Sequence, residues 1–151
     1  MKKDRLVAGG IAGIVGSIAC DVLGVIYKSL GWTDRAFYDN ATILLTNQIY
    51  SDEGIYGLIL AIISHIAVCL IFGVIFAYLI LLTTSNYLYI KGLGFGLVLW
   101  ILLHGFGTIF NLALFTKMPL NVAYATLSFS LVYGFMISLT LKIIEKKSEL
   151  L

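Results

Sequence analysis

Charge is scarce in this chain of 151 residues: Asp, Glu, Lys and Arg make up 12% of it, against 60% hydrophobic residues. Soluble domains carry about 25% charge and roughly 45–50% apolar residues. The shortage, with a mean hydropathy of +1.01, excludes a soluble globular domain. Proline is nearly absent, with one residue, so long helices are unbroken; cysteine and histidine number two each. Two cysteines inside apolar stretches, Cys20 and Cys69, suit buried free thiols, and no disulfide framework or zinc-type cysteine pairing is expected. A net charge of +2 is too small to argue for nucleic acid, and no such partner is expected.

Apolar length is what the chain has. Four blocks, at about 6–30, 55–82, 92–115 and 120–144, run between the few charges. A span needs about 20 apolar residues, and each block, at about 1.5 Å per residue, exceeds a hydrocarbon core about 30 Å thick. Period-2 barrel strands are not seen, and only helices satisfy their own backbone in lipid. The expected fold is all-α: a single membrane domain forming a four-transmembrane-helix bundle, with the lipid bilayer as its first partner.

Basic residues orient the bundle. Lys2, Lys3, Arg5, Lys91, Lys142, Lys146 and Lys147 fall on one side, Lys28, Arg35 and Lys117 on the other, which puts both termini in the cytoplasm. Trp32, Tyr38, Tyr50 and Tyr56 mark the outer interface, Tyr78, Tyr87 and Tyr89 the inner one. The 117–119 turn is brief and its proline is expected to end the third span, making spans three and four antiparallel neighbours. Between Trp32 and Glu53, Asp39 or Asn40 could cap a short helix through Ala41–Leu45, lying on the surface or covering the bundle mouth; a plain linker is the alternative. The basic N-terminus and the small residues before Cys20 resemble a processed leader, but the first block is expected to stay in the mature protein.

Small residues line one face of the first block. Gly9, Gly13, Ser17 and Asp21 recur every fourth residue, with Gly16, Cys20 and Gly24 beside them, a groove for another helix backbone within the chain or in a second copy. Asp21, His65 and His104 fall at depths of roughly 15–20 Å from the outer boundary, so the three ionisable groups can share one layer. His65 shares a stripe with Cys69, and His104 one with Trp100, Thr108 and Asn111. Asp21, His65 and His104 could set helix register by hydrogen bonds, or could hold a transition metal, haem, a proton or a polar ligand; Cys69, Thr108 and Asn111 would support them. No cofactor is favoured. Ser64 and His65 point about 100° apart on a helix and do not make a nucleophile and base, so no catalytic residue is assigned.

The Gly-rich first block with Asp21, the 30–35 segment Leu-Gly-Trp-Thr-Asp-Arg, the 72–80 run and Lys91-Gly92-Leu93-Gly94-Phe95-Gly96 resemble small four-helix membrane proteins of Firmicutes, the YqhR-like ones among them. The resemblance implies a bundle in a bacterial cytoplasmic membrane, and it implies no activity. The expected function is therefore a non-enzymatic accessory or self-associating membrane component, with a membrane-protein partner or a homo-oligomer in view. The alternative is a protein that handles a ligand, metal, haem or proton through its polar layer.

Overall fold

The computed structural model describes residues 4–83, 86–112, 115–116 and 118–149. Lys2, Lys3 and Lys117, three of the ten basic residues, lie outside the described residues. Five helices and no strand occur among the described residues: α1 (Arg5–Ser29), α2 (Phe37–Thr46), α3 (Ile55–Leu82), α4 (Leu88–Ile109) and α5 (Leu120–Glu149). All but α2 are long and apolar enough to cross a membrane, α5 over Leu120–Lys146.

Local chemistry sets the ends. The Asp4 carboxylate accepts from the backbone N–H of Leu6 and Val7 at 3.1 and 3.2 Å, satisfying donors that the first turn of α1 leaves open. At the other end Gly31 takes φ 68° while Trp32 N–H bonds Tyr27 O and Gly31 N–H bonds Lys28 O, the paired bonds of a Schellman stop. The same device ends α4: Asn111 at φ 51° lets Leu112 N–H reach Gly107 O and its own N–H reach Thr108 O. α4 therefore stops at Ile109, well short of the expected boundary at 115, and begins at Leu88 rather than 92. Pro119 does not end this helix; its carbonyl accepts from Ala123 N–H in the first turn of α5, which runs on past 144.

α2 forms where the outer segment is richest in mixed residues. Asp39 is the third residue of the helix, not its cap, and its Oδ2 accepts from Ala36 N–H at 2.8 Å; Ser51 Oγ bonds its other oxygen. Tyr38 through Ile43 are all buried, so α2 is packed into the molecule against α3 and is not an exposed surface element.

The four long helices stand in the order α3, α1, α5, α4, each packed on the next, while α3 and α4 scarcely meet. Neighbours are antiparallel. Gly9 lies against Gly73 and Val74 of α3, and Gly13 against Cys69 and Leu70; a Cβ on Gly9 would stand 2.7 Å from Val74 Cα, closer than side chains are found. Gly16 faces the Tyr133 ring and Ile137 of α5, and Gly24 meets Ala36 at the entrance to α2. Ser17, also fully buried, turns its hydroxyl to Ile14 O at 2.8 Å. A second seam joins α4 to α5, where Gly92 and Gly96 press on Gly134 and the Ser130 and Ser138 turns. Close backbone contact of this kind is how helices associate without a hydrophobic drive. The core holds Phe76, Phe129 and Ile137, and many large aliphatic side chains point outward, among them Ile63, Ile71, Leu102 and Ile109.

Candidate functional site

Where α3 and α4 part, a cleft opens with α5 as its floor and α2 as its roof. The space it encloses is about 30 Å³, and the cleft is partly open to the surroundings. Phe37, Ala41 and Leu44 of α2, Val68 and Phe72 of α3, Leu99 and Leu103 of α4, and Phe115 make its walls apolar. Five lining residues bring other chemistry: His65 and Cys69 of α3, Asn40 of α2, and the α5 pair Ser130 and Tyr133, of which Tyr133 is both aromatic and polar.

His65 is almost fully buried and hydrogen-bonded at both ring nitrogens. Its Nδ1 is 2.7 Å from Asp21 Oδ1 and its Nε2 is 3.2 Å from Cys69 Sγ. The ring tautomer sets the direction of both bonds: with Nδ1 donating to the carboxylate, the Nε2 lone pair faces the thiol, which donates. Helical geometry explains both halves. Cys69 is one turn beyond His65, where i and i+4 side chains meet, and Asp21 reaches across because the small residues of α1 bring its backbone against α3. The edge of the Phe37 ring, centroid 5.1 Å away, closes over the imidazole. Tyr133 donates to Cys69 O at 2.6 Å, fixing α5 to the turn that carries the thiol. Cys20 sits apart from this arrangement, its thiol donating to Phe129 O at 3.2 Å.

Asn40 is the exception to good pairing. Its residue is 5% exposed, yet among the described residues neither the amide nitrogen nor the amide oxygen has a hydrogen-bond partner. Leaving a buried polar group unpaired costs about 1–3 kcal/mol, and buried polar atoms are nearly always satisfied. Next to it in sequence, Asp39 is fully engaged by Ala36 and Ser51. Tyr38, before it, has its phenol pushed up from the ordinary value by burial first and then by the carboxylates of Asp39, Asp21 and Asp52, so it stays neutral beneath the Lys28 ammonium 5.9 Å from its ring.

His104 belongs to a different group. Its Nδ1 donates to Trp100 O at 2.8 Å, and its Nε2 lies 3.2 Å from Thr126 Oγ1, to which Trp100 Nε1 donates at 3.1 Å. Phe115 touches both places, lining the cleft and standing 5.4 Å from the His104 ring. Asp21, His65 and Cys69 are thus brought together, and His104 is bonded elsewhere; they are two networks, because α4 neighbours α5 and not α1. Thr108 is exposed and bonds back to His104 O at 2.8 Å, and Asn111 is exposed in the turn that ends α4. Among the described residues no group of three or more His, Cys, Asp and Glu is placed to hold a metal ion. With both nitrogens of each histidine bonded, axial ligation of haem would require breaking a bond at each ring.

Sequence reasoning weighed Asn40 only as a helix cap and did not single out Phe37 or Tyr133 for the site. No protein-family model matches the chain, and no curated protein or solved structure matches it.

Proposed function

We propose that this chain is a four-span protein of a bacterial cytoplasmic membrane, with both termini in the cytoplasm, and that it takes a single lipid-like molecule into the cleft between α3 and α4. The observation that carries the reading is the buried Asn40 amide, without a hydrogen-bond partner among the described residues, beside a cleft whose walls are mostly apolar. An amide offers one donor group and one acceptor, so it suits the carbonyl or hydroxyl end of a molecule whose hydrocarbon part lies along Val68, Phe72, Leu99 and Leu103. Outward aliphatics on the spanning helices and seven of ten basic residues on one side support the membrane setting and the orientation.

Native mass spectrometry of protein purified in mild detergent tests this. A bound lipid-sized mass is expected in the wild type, diminished about tenfold in Asn40→Leu, which removes about 1.4 kcal/mol of polar pairing, and abolished in Leu103→Trp, which fills the cleft. A lipid-free wild-type protein, or lipid retained equally by both variants, would overturn it.

A second reading, the accessory or self-associating bundle, is favoured by one face of α4. Gly94, Val98, Ile101 and Gly105 fall in line at helical spacing; Val98 and Ile101 are half exposed, and nothing stands within 4 Å of a Cβ at either glycine. Such a strip admits another helix closely. A dimeric mass lost in Gly105→Leu would support it, and a monomer in membranes as well as in detergent would remove it.

A further inference from the structure

Resting on the cleft reading above, we infer that Cys69 is an acyl-accepting nucleophile, that His65 is its base and Asp21 a positioning residue, and that the molecule bound in the cleft is the ester of a medium or long acyl chain. Three observations converge on one face of the cleft. A thiol is within hydrogen-bond reach of an imidazole nitrogen at 3.2 Å, and the far nitrogen of that ring is held by a carboxylate at 2.7 Å. This is the nucleophile, base and orienting acid sequence that activates a weak nucleophile. Both the thiol and the ring line a cleft whose other walls are aliphatic and aromatic. In the same cleft stands the Asn40 amide, buried and unpaired, a donor of the type that stabilises an oxyanion. A register-setting bond between α1 and α3 needs Asp21 and His65 alone; it leaves the buried Asn40 amide beside the same cleft without a role.

The chemistry balances with water as co-reactant. Cys69 Sγ attacks the ester carbonyl carbon while its proton passes to His65 Nε2, and the charge on the carbonyl oxygen falls to the Asn40 N–H. The carbon–oxygen bond to the alcohol breaks as His65 returns the proton to the departing oxygen, leaving an alcohol and a Cys69 thioester. Water then attacks the thioester carbonyl, giving its proton to His65; the carbon–sulfur bond breaks, the sulfur regains the proton, and a fatty acid leaves. Throughout, Asp21 keeps the proton of the ring on Nδ1, so that Nε2 is free to accept.

Purified full-length protein is incubated with p-nitrophenyl octanoate, with nitrophenol release and intact mass followed together. The expected result is a burst of nitrophenol and an octanoyl adduct mapped to Cys69. The adduct is expected to be absent in Cys69→Ala, retained in Cys20→Ser, and formed about a hundredfold more slowly in His65→Gln and in Asn40→Leu. Asp21→Asn is expected to lower the maximal acylation rate without changing the half-saturating ester concentration, a split that loss of packing would not produce. Lipid retention by Cys69→Ala in the native mass spectrum separates the two readings. No adduct from a protein that still holds lipid overturns the nucleophile and leaves the cleft intact, and no adduct with no lipid overturns both. An adduct formed equally fast in His65→Gln and Asn40→Leu marks an ordinary reactive thiol and also overturns the assignment.

Discussion

Asp21 and His65 bridge α1 and α3 through a charge-assisted bond of 2.7 Å, and the side chain of Asp21 is 17% exposed against 2% for His65. Hydrogen bonds to charged groups are worth about 1.5–3 kcal/mol, so Asp21→Asn and His65→Gln are each expected to destabilise the protein by about that much in detergent. Because they remove the same bond, the double variant should fall short of the sum of the two by about 1–2 kcal/mol, as directly bonded pairs do. His104→Gln acts on the separate Trp100 and Thr126 network. Combined with Asp21→Asn it should be additive to within about 0.5 kcal/mol. Thermal unfolding of the three single variants and both doubles checks this, and strong coupling between Asp21 and His104 would mean that the two networks are one.

The same residues show how far a site can be read in sequence. Rise per residue places Asp21, His65 and His104 at similar depth, since length along a helix is countable. Which helix stands beside which is not countable. In a soluble bundle the polar face of each helix points away from its partners, but here α3 and α4 are apolar nearly all round, so sequence alone does not tell an inward face from an outward one. His104 accordingly bonds within α4 and to α5, while His65 bonds to α1. The Asn40 amide was out of reach for another reason: a polar residue in an outer segment reads as capping or solvated, and only the burial of α2 leaves it unpaired.

At the scale of elements, glycines divide into those that carry helix contacts and those that do not. Gly13 lies on the Cys69 and Leu70 backbone, and Gly96 on Ser130 and Gly134. Gly94 has open space where a Cβ would go. Gly13→Leu and Gly96→Leu are expected to lose folded monomer on size exclusion, because a side chain there must push two backbones apart. Gly94→Ala should leave the monomer fold unchanged, and within a helix it gains about 0.5–1 kcal/mol of backbone entropy. Equal loss of fold in all three variants would show that the seams are not where the structure puts them. α2 has its own lever in Asp39, which bonds Ala36 N–H at 2.8 Å and also Ser51. Asp39→Ala should cost about 1 kcal/mol and should also lower lipid retention, since the roof of the cleft depends on that helix; unchanged retention would detach α2 from the cleft.

For the whole molecule the four long helices were the most legible feature, because each apolar block exceeds the length a span needs, whereas helix ends were less so. Pro119 is the conspicuous breaker in the sequence, yet a left-handed Asn111 stops α4 eight residues earlier; one residue with φ near 51° does what a proline would do, and asparagine is too common to announce it. Orientation is a property of the same scale. Asp52 lies between α2 and α3 and Lys146 near the end of α5, both exposed. With seven basic residues on the side of the termini and three on the other, intact cells treated with an impermeant maleimide should label Asp52→Cys and spare Lys146→Cys until they are permeabilised. Both replacements are made in a Cys20→Ser, Cys69→Ser background so that only the introduced thiol reacts. The opposite pattern would invert the protein and put the α2 roof, with the cleft beneath it, near the cytoplasmic leaflet; labelling of both sites in intact cells would break the four-span reading itself, because three crossings, α3, α4 and α5, keep the α2–α3 connection and the end of α5 on opposite sides.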